Sequence, residues 1–413
     1  MNSESSKPAT QDSDKAPGFW PQTAGYYAAF VSLGMAGAVI GPTLFGLAEH
    51  THSQINEISF LFIAISGGYL LGSLIAGRFY DRRPGNPVMA ASLVLISIML
   101  FLTPIIPMLW LLAIILFLLG VGEGCLDVGG NTLLMWLHRE KVGPFMNGLH
   151  FMWGVGALIS PIIIAEILLL SGDITWGYWV LSLLLIPVII WFLRLPSPKN
   201  IPVAEDHLHQ KINYLLVGMI VLFFALFVGA EQSYGGLISF YSINLNLMEP
   251  TTAALLTSVY WGALTFGRLV SIPLAIRFRP AVILISDLVG ILFSVGIILI
   301  WSNSIPVLWI GTFGAGFWNA SIFPMMLVFA QRRMRITGQV TSWFFIGASV
   351  GGMILPWIIG QFFKSVGPQV LMITIFVDMV LALVLFVSLL VYTNREETPS
   401  TLIENRILHE EQI

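Results

Sequence analysis

Long apolar runs, each closed by a turn residue or a charge, set the pattern of the 413-residue chain. Hydrocarbon offers an unpaired backbone group no partner, so a crossing helix needs about 20 mainly apolar residues. Runs of that kind fall at 24–48, 57–77, 87–105, 109–137, 144–170, 173–193, 212–240, 250–276, 280–301, 304–330, 336–363 and 367–392. The longest polar interval, 194–211, separates them six and six. The pattern predicts an all-α membrane protein of twelve transmembrane helices in two six-helix bundles around a central cavity. Residues 1–23 form an N-terminal tail, 24–193 the first bundle, 194–211 a linker, 212–392 the second bundle and 393–413 a C-terminal tail.

The basic residues give an independent check on that count. Lys7 and Lys15 precede the first run; Arg78, Arg82 and Arg83 follow the second; Arg139 and Lys141 follow the fourth. Arg194, Lys199 and Lys211 lie between the halves. Arg268, Arg277 and Arg279 end the eighth run, Arg332, Arg333 and Arg335 follow the tenth, and Arg395 and Arg406 sit in the tail. Every lysine and arginine except Lys364 thus falls on one side, and a miscounted span would scramble the asymmetry. The positive-inside rule makes that side cytoplasmic, and the expected location is the plasma (cytoplasmic) membrane.

Composition agrees: 56% of residues are hydrophobic and 10% charged, too little charge to cover a soluble body of this size. The formal net charge of -3 calls for no nucleic-acid partner. Residues 1–19 carry no basic-then-apolar leader, so insertion through the helices themselves is expected. No nucleophile–base pair, metal-ligand spacing or phosphate loop is evident, so neither an enzyme nor a bound cofactor or metal is expected. The partners expected are the bilayer and a small solute, and the chain is expected to be a monomer.

A weak internal repeat relates the halves. A slip of about 195 positions aligns Gly34 with Gly229, Gly72 with Gly267 and Pro161 with Pro356. A slip of about 192 sets Gly122-Glu-Gly-Cys-Leu-Asp127 against Gly314-Ala-Gly-Phe-Trp-Asn319, so Asp127 and Asn319 occupy matching places.

An ionisable group at bilayer depth costs about 2.5–3.5 kcal/mol even on lenient scales, so it should face protein or water. Of the intramembrane acids, Glu166, Asp287 and Asp378 read as locally satisfied. Asp127 lies about ten residues into the fourth run, some 15 Å deep, with Glu123 and Asn131 one turn to either side. Two carboxyls so close compete for a proton, and such a group can bind and release one as a cavity changes its exposure. Asp127, Glu123 and Glu231 are therefore the coupling candidates. Equal heights on the antiparallel fifth run place His150 near Asn131 and Trp153 near Asp127. Gln232 and Tyr234 accompany Glu231, while Tyr260, Trp261, Trp318 and Asn319 lie at mid-depth in the second half. With Asn131, His150 and Trp153 they form a candidate solute site of amides, acids and aromatic planes, which suits a polyol or sugar.

After the second run stands Gly77-Arg-Phe-Tyr-Asp81-Arg82-Arg83-Pro-Gly85. It resembles the glycine-x-x-x-aspartate-arginine signature of the major facilitator superfamily. Gly77 would permit close helix packing and Asp81 would pair with Arg82, Arg83 or a helix end to latch an inner gate. The second-half copy keeps Gly267-Arg268 and Arg277 but has Ile276 where the acid would fall. The string 124–131 is similar to the fourth helix of the fucose–galactose–glucose:proton symporters. The strings 149–161, 229–236, 346–353 and Gly41-Pro-Thr-Leu are similar to the sodium-dependent glucose transporter 1-like branch. The resemblance spans all twelve runs and implies alternating-access carriage of a hexose-like sugar, with H+ favoured over Na+ as the coupling ion. A proton-driven exporter of drugs or metabolites is the alternative. Two departures stand out: Ala38 replaces a second acid of the proton symporters, and Gly352 replaces an acid of the sodium-dependent branch.

Overall fold

The computed structural model describes residues 19–139, 142–198, 213–334 and 338–410, the side chains of 81, 338–339 and 394–410 excepted. Lys7, Lys15, Lys141, Lys199, Lys211 and Arg335 lie outside the described residues, as do parts of both tails and most of the linker. Every described regular element is helical. Eleven helices are long and apolar enough to cross a membrane, and a bent pair raises the number to twelve. Span 1 is that pair, Trp20–Gly37 and Ile40–His50, bent by 42°. Span 2 is Phe60–Arg82, entered through the short helix Ile55–Ile58. Spans 3 to 6 are Gly85–Leu102, Leu109–His138, Val142–Ser171 and Ile174–Arg194. Spans 7 to 9 are Tyr214–Asn244, Pro250–Arg277 and Pro280–Ile300. Span 10 is broken at Ala320–Ser321 into Ile305–Asn319 and Ile322–Gln331. Span 11 is Gly338–Val366, and span 12 is the membrane part, Val370–Thr393, of the helix Val370–Glu410.

Small residues decide which helices touch. A Cβ at Gly72 or Gly124 would strike the carbonyls of Val121 or Tyr69, so spans 2 and 4 meet backbone to backbone. In the second half, a Cβ at Gly267 would lie 2.5 Å from the Phe317 carbonyl oxygen, and one at Gly316 would strike that of Tyr260, joining spans 8 and 10. A Cβ at Gly34 would strike the Trp153 carbonyl between spans 1 and 5, and one at Gly229 would lie 3.1 Å from that of Gly351 between spans 7 and 11. The repeat-related glycines Gly34/Gly229 and Gly72/Gly267 therefore make repeat-related contacts. Close approach of this kind is how helices associate where lipid tails are as apolar as leucine.

Across the halves, spans 5 and 8 pack together, as do spans 2 and 11 and, through its second segment, spans 1 and 7. The described arginines at span ends mark one face of the bundle, here the basic end; Lys364 marks the opposite, far end. The far end is tightly shut. Gly41 abuts the Gly235 carbonyl, the rings of Phe45 and Phe240 lie 6.1 Å apart, and Phe363 packs edge-on against Phe240 at 5.2 Å. Span 11 reaches over with Gln361 Nε2 donating to the Asn56 carbonyl at 2.7 Å and Lys364 Nζ to Gln54 Oε1 at 2.9 Å. The one outlier to the basic asymmetry thus ties the halves together. Outside the closure a mouth of about 850 Å³ is lined by Glu49, His52, Asn244 and Lys364 over the rings of Phe45 and Phe240. Spans 4 and 10, among the described residues, make no extensive contact with each other.

Gly77 and Arg268 differ from the expectations for the signature motif, and the pairing of Asp81 lies outside the described side chains. A Cβ added at Gly77 would meet nothing within 4 Å, so that glycine does not make a close helix contact. Arg82 and Arg83 are exposed and, among the described residues, make no side-chain hydrogen bond, while the Asp81 side chain lies outside them. Arg268 does not stand at the basic face at all. It lies nine residues, roughly 13 Å, inside the end of span 8 and reaches the other half.

Candidate functional site

Asp127 on span 4 points into protein, not lipid. Its Oδ2 accepts from the Tyr69 hydroxyl on span 2, and its Oδ1 accepts from Asn131 Nδ2 at 2.9 Å. It remains partly accessible, as does Asn131. Gly124 and Gly72 set this geometry by letting spans 2 and 4 approach until the Tyr69 side chain meets the carboxylate. Glu123 is buried one turn away, with Oε1 lacking a hydrogen-bond partner. A charged carboxylate without a partner is strongly disfavoured there, so Glu123 is held neutral or bonded through a water.

The second half carries a matching pair. Asn319 Nδ2 donates to the Tyr260 hydroxyl at 2.9 Å, and both residues are buried. Gly124 abuts the Tyr69 carbonyl as Gly316 abuts that of Tyr260, so the two tyrosines are related as Asp127 is to Asn319. Each half thus presents a tyrosine clasped to a short polar side chain, an acid in one and an amide in the other. Tyr234 belongs to the support of this pair. Its ring stacks on Tyr260 at 4.8 Å and its hydroxyl bonds Thr312 Oγ1 at 3.0 Å, which leaves it little surface for a solute.

Helices 5 and 8 supply the junction. Trp153 and Trp261 meet edge-on at 5.3 Å, Gly37 leaves room for the Trp153 ring, and Gly235 leaves room for Trp261. The Phe30 ring fills the space beside Gly130 and meets His150 edge-on at 5.8 Å. Trp153 faces Gly37 and Trp261. Arg268 donates to the His150 carbonyl at 3.3 Å and holds its guanidinium carbon 5.7 Å from the Trp153 ring.

Hydrogen bonding sorts the candidate residues. Asp127, Asn131, Asn319, Tyr260 and Tyr234 are mutually satisfied. The Glu231 carboxylate, the Gln232 amide and the His150 ring have no hydrogen-bond partner among the described residues, yet remain accessible. Gly352 lets the Gln232 stem lie 3.3 Å from where a Cβ would stand. Trp318 is partly accessible and packs over Gly290 of span 9, away from the junction. The remaining membrane acids divide. Asp287 accepts from the Ser321 hydroxyl at the break in span 10, a satisfied structural role, whereas buried Asp378 keeps Oδ2 without a partner.

Tyr69 is the site residue that sequence reasoning missed. A lone tyrosine in an apolar helix looks like ordinary packing. The signal was the repeat: the slip that maps Asn319 onto Asp127 carries Tyr260 to within one position of Tyr69.

Residues 26–248 match the Major Facilitator Superfamily family model, more than half the chain. Among characterised relatives, the zebrafish (Danio rerio) sodium-dependent glucose transporter 1 is 28% identical over 381 residues, covering 83% of this chain and 64% of that protein. Mouse (Mus musculus) sodium-dependent glucose transporter 1A is 28% identical over 372 residues, covering 81% of this chain and 88% of that one. This chain therefore spans somewhat less than two thirds of the zebrafish relative. A crystal structure of a mutant of the nucleoside transporter NupG superposes with a TM-score of 0.70 over 90% of this chain and 99% of its own, at 12% identity. The chain belongs to the major facilitator superfamily. It is a multi-pass membrane transporter of that fold, not an enzyme.

Proposed function

We propose that this protein imports a hexose-like sugar across the plasma membrane by alternating access, in symport with a proton. One observation carries the reading. Glu231, Gln232 and His150 have no side-chain hydrogen-bond partners among the described residues, on the spans whose Trp153 and Trp261 indoles meet across the halves, at a depth where an unmatched polar group is costly. Such groups are tolerated where a polar solute or water completes them, and indole faces suit the C–H surface of a pyranose. The likeness to glucose transporters supports the solute class.

The basic end is cytoplasmic in this reading, and both termini lie there. The shut far end and the lack of extensive contact between spans 4 and 10 support an inward-facing state. The two six-helix bundles rock about the spans 5–8 and 2–11 contacts to expose the site to either side. Asp127 is the coupling carboxyl: Tyr69 and Asn131 hold both its oxygens in place while its partial exposure lets a proton reach it. Glu123, unpartnered one turn away, is the neighbouring store for that proton. A proton is favoured over sodium because the described residues around Asp127 offer a hydroxyl and an amide donor, which serve a carboxylate, and not a shell of oxygens for a metal cation.

The purified chain in liposomes preloaded with unlabelled D-glucose is expected to exchange labelled D-glucose. Excess D-galactose or D-fucose should compete, and nucleosides should not. Exchange of nucleosides or of amphiphilic cations in place of hexoses would reject the sugar reading.

A further inference from the structure

Arg268 is the least accounted-for group in the junction. A charged side chain at this depth is expensive even on lenient scales, so it is retained for a partner. An arginine carries five N–H donors in a rigid fork. Here one of them reaches the His150 carbonyl at a long 3.3 Å. The others have no hydrogen-bond partner among the described residues, and no carboxylate there lies within ion-pairing distance. Glu231 is near enough to act on it electrostatically without pairing. The residue is partly accessible, and its guanidinium carbon lies 5.7 Å from the centre of the Trp153 ring.

Three features therefore converge from two halves: spare donors on Arg268, spare acceptors on nearby Glu231 and on His150, and a flat indole. An isolated anion would find the donors but would also face Glu231. A neutral polyol satisfies both kinds of group at once, since each hydroxyl accepts and donates. Two adjacent ring hydroxyls present two oxygens side by side, which a planar fork can bind together and an ammonium cannot.

We propose that Arg268 is a solute-binding residue whose guanidinium clasps two adjacent hydroxyls of the sugar, and which rests on the His150 carbonyl when the site is empty. This rests on the sugar reading above. The resting contact joins span 8 to span 5, so the arriving solute takes over a bond that otherwise ties the halves together. Arg268 thereby selects the solute and signals its presence to the moving interface.

The test is counterflow of labelled D-glucose in proteoliposomes, competed by the series of monodeoxy glucoses, for wild type, Arg268→Gln and Arg268→Lys. In the wild type, removing either of two adjacent hydroxyls should weaken competition by about tenfold or more, the range expected for a charge-assisted hydrogen bond. In Arg268→Gln the same two analogues should compete about as well as D-glucose itself, within roughly threefold. Arg268→Lys should recover discrimination at one of the two positions at most, because its ammonium is a point donor. An unchanged analogue pattern in both variants, or a wild-type pattern with no adjacent pair of sensitive positions, overturns the role of Arg268 while leaving sugar transport standing. Should Arg268→Gln fail to fold, the lysine variant and the wild-type pattern decide. If the wild type exchanges no hexose at all, the sugar reading fails and the arginine's role fails with it.

Discussion

Asp127→Asn is expected to abolish uphill accumulation while leaving exchange of solute down its gradient within about threefold of wild type. An amide has the size and shape of the carboxyl but cannot bind and release a proton at these pH values. The replacement should be accepted locally, because the second half already shows the arrangement it would create: Asn319 hydrogen-bonded to Tyr260 at 2.9 Å. Tyr69 can turn its hydroxyl to accept from the new amide, and Asn131 keeps its carbonyl partner on span 4 at 2.9 Å. One proton per sugar lets a one-unit pH gradient, about 1.4 kcal/mol, hold an inside-to-outside ratio of about ten. The wild type should approach that ratio and the variant should stop at one. Labelled-sugar content of proteoliposomes under an imposed pH gradient checks it, with counterflow in the same preparation showing that the variant is folded and binds. Full accumulation by Asp127→Asn would remove the coupling role.

Gly41→Val should stop the transport cycle without unfolding the protein. A Cβ at Gly41 would strike the Gly235 carbonyl on span 7, and its nearest other neighbour is Thr257 Cγ2 on span 8 at 3.4 Å. Both partners belong to the opposite half, so the side chain acts as a wedge in the far-end closure. Overpacking of this order costs about 1–3 kcal/mol, enough to shift a two-state balance by roughly 5- to 150-fold toward the state in which these surfaces are apart. Within each half the packing is untouched, in contrast to Gly72 or Gly124, where an added Cβ would strike backbone inside one bundle. Folded yield should therefore match wild type while sugar exchange falls at least tenfold. In a Cys125→Ser background, a cysteine placed at Phe240 should react with an impermeant maleimide at least tenfold faster when Gly41→Val is present. Equal labelling rates with normal exchange would contradict the wedge.

The membrane spans were legible because hydrocarbon imposes one length and one polarity on every crossing. The internal bends were legible only in part: each lies four residues before a proline, Ala38 before Pro42 and Ala320 before Pro324, whose ring displaces that carbonyl, yet Pro161 and Pro356 sit inside unbroken helices. The repeat glycines could be read in advance since close helix contact admits few other residues, and Gly34, Gly72, Gly229 and Gly267 all make such contacts. Gly77 shows the limit of that logic, for it matched a motif and packs against nothing. Sideways contacts were not readable: the meeting of Phe30 with His150 and of Trp153 with Trp261 depends on how the helices turn about their axes. Arg268 was assigned to the basic face from its place in a degenerate motif, although nine residues of helix separate it from Arg277. Tyr69 gave no local signal and emerges only from the pairing of the two halves.

The claim on which the account depends is that a carboxyl inside the membrane exchanges a proton each time solute passes. Sugar added to the outside of sodium-free, right-side-out vesicles containing the purified carrier tests it directly. The account predicts alkalinisation of the medium at about one proton per sugar taken up, absent in Asp127→Asn. Sugar uptake with no pH change, or uptake that begins only when sodium is supplied, would contradict it.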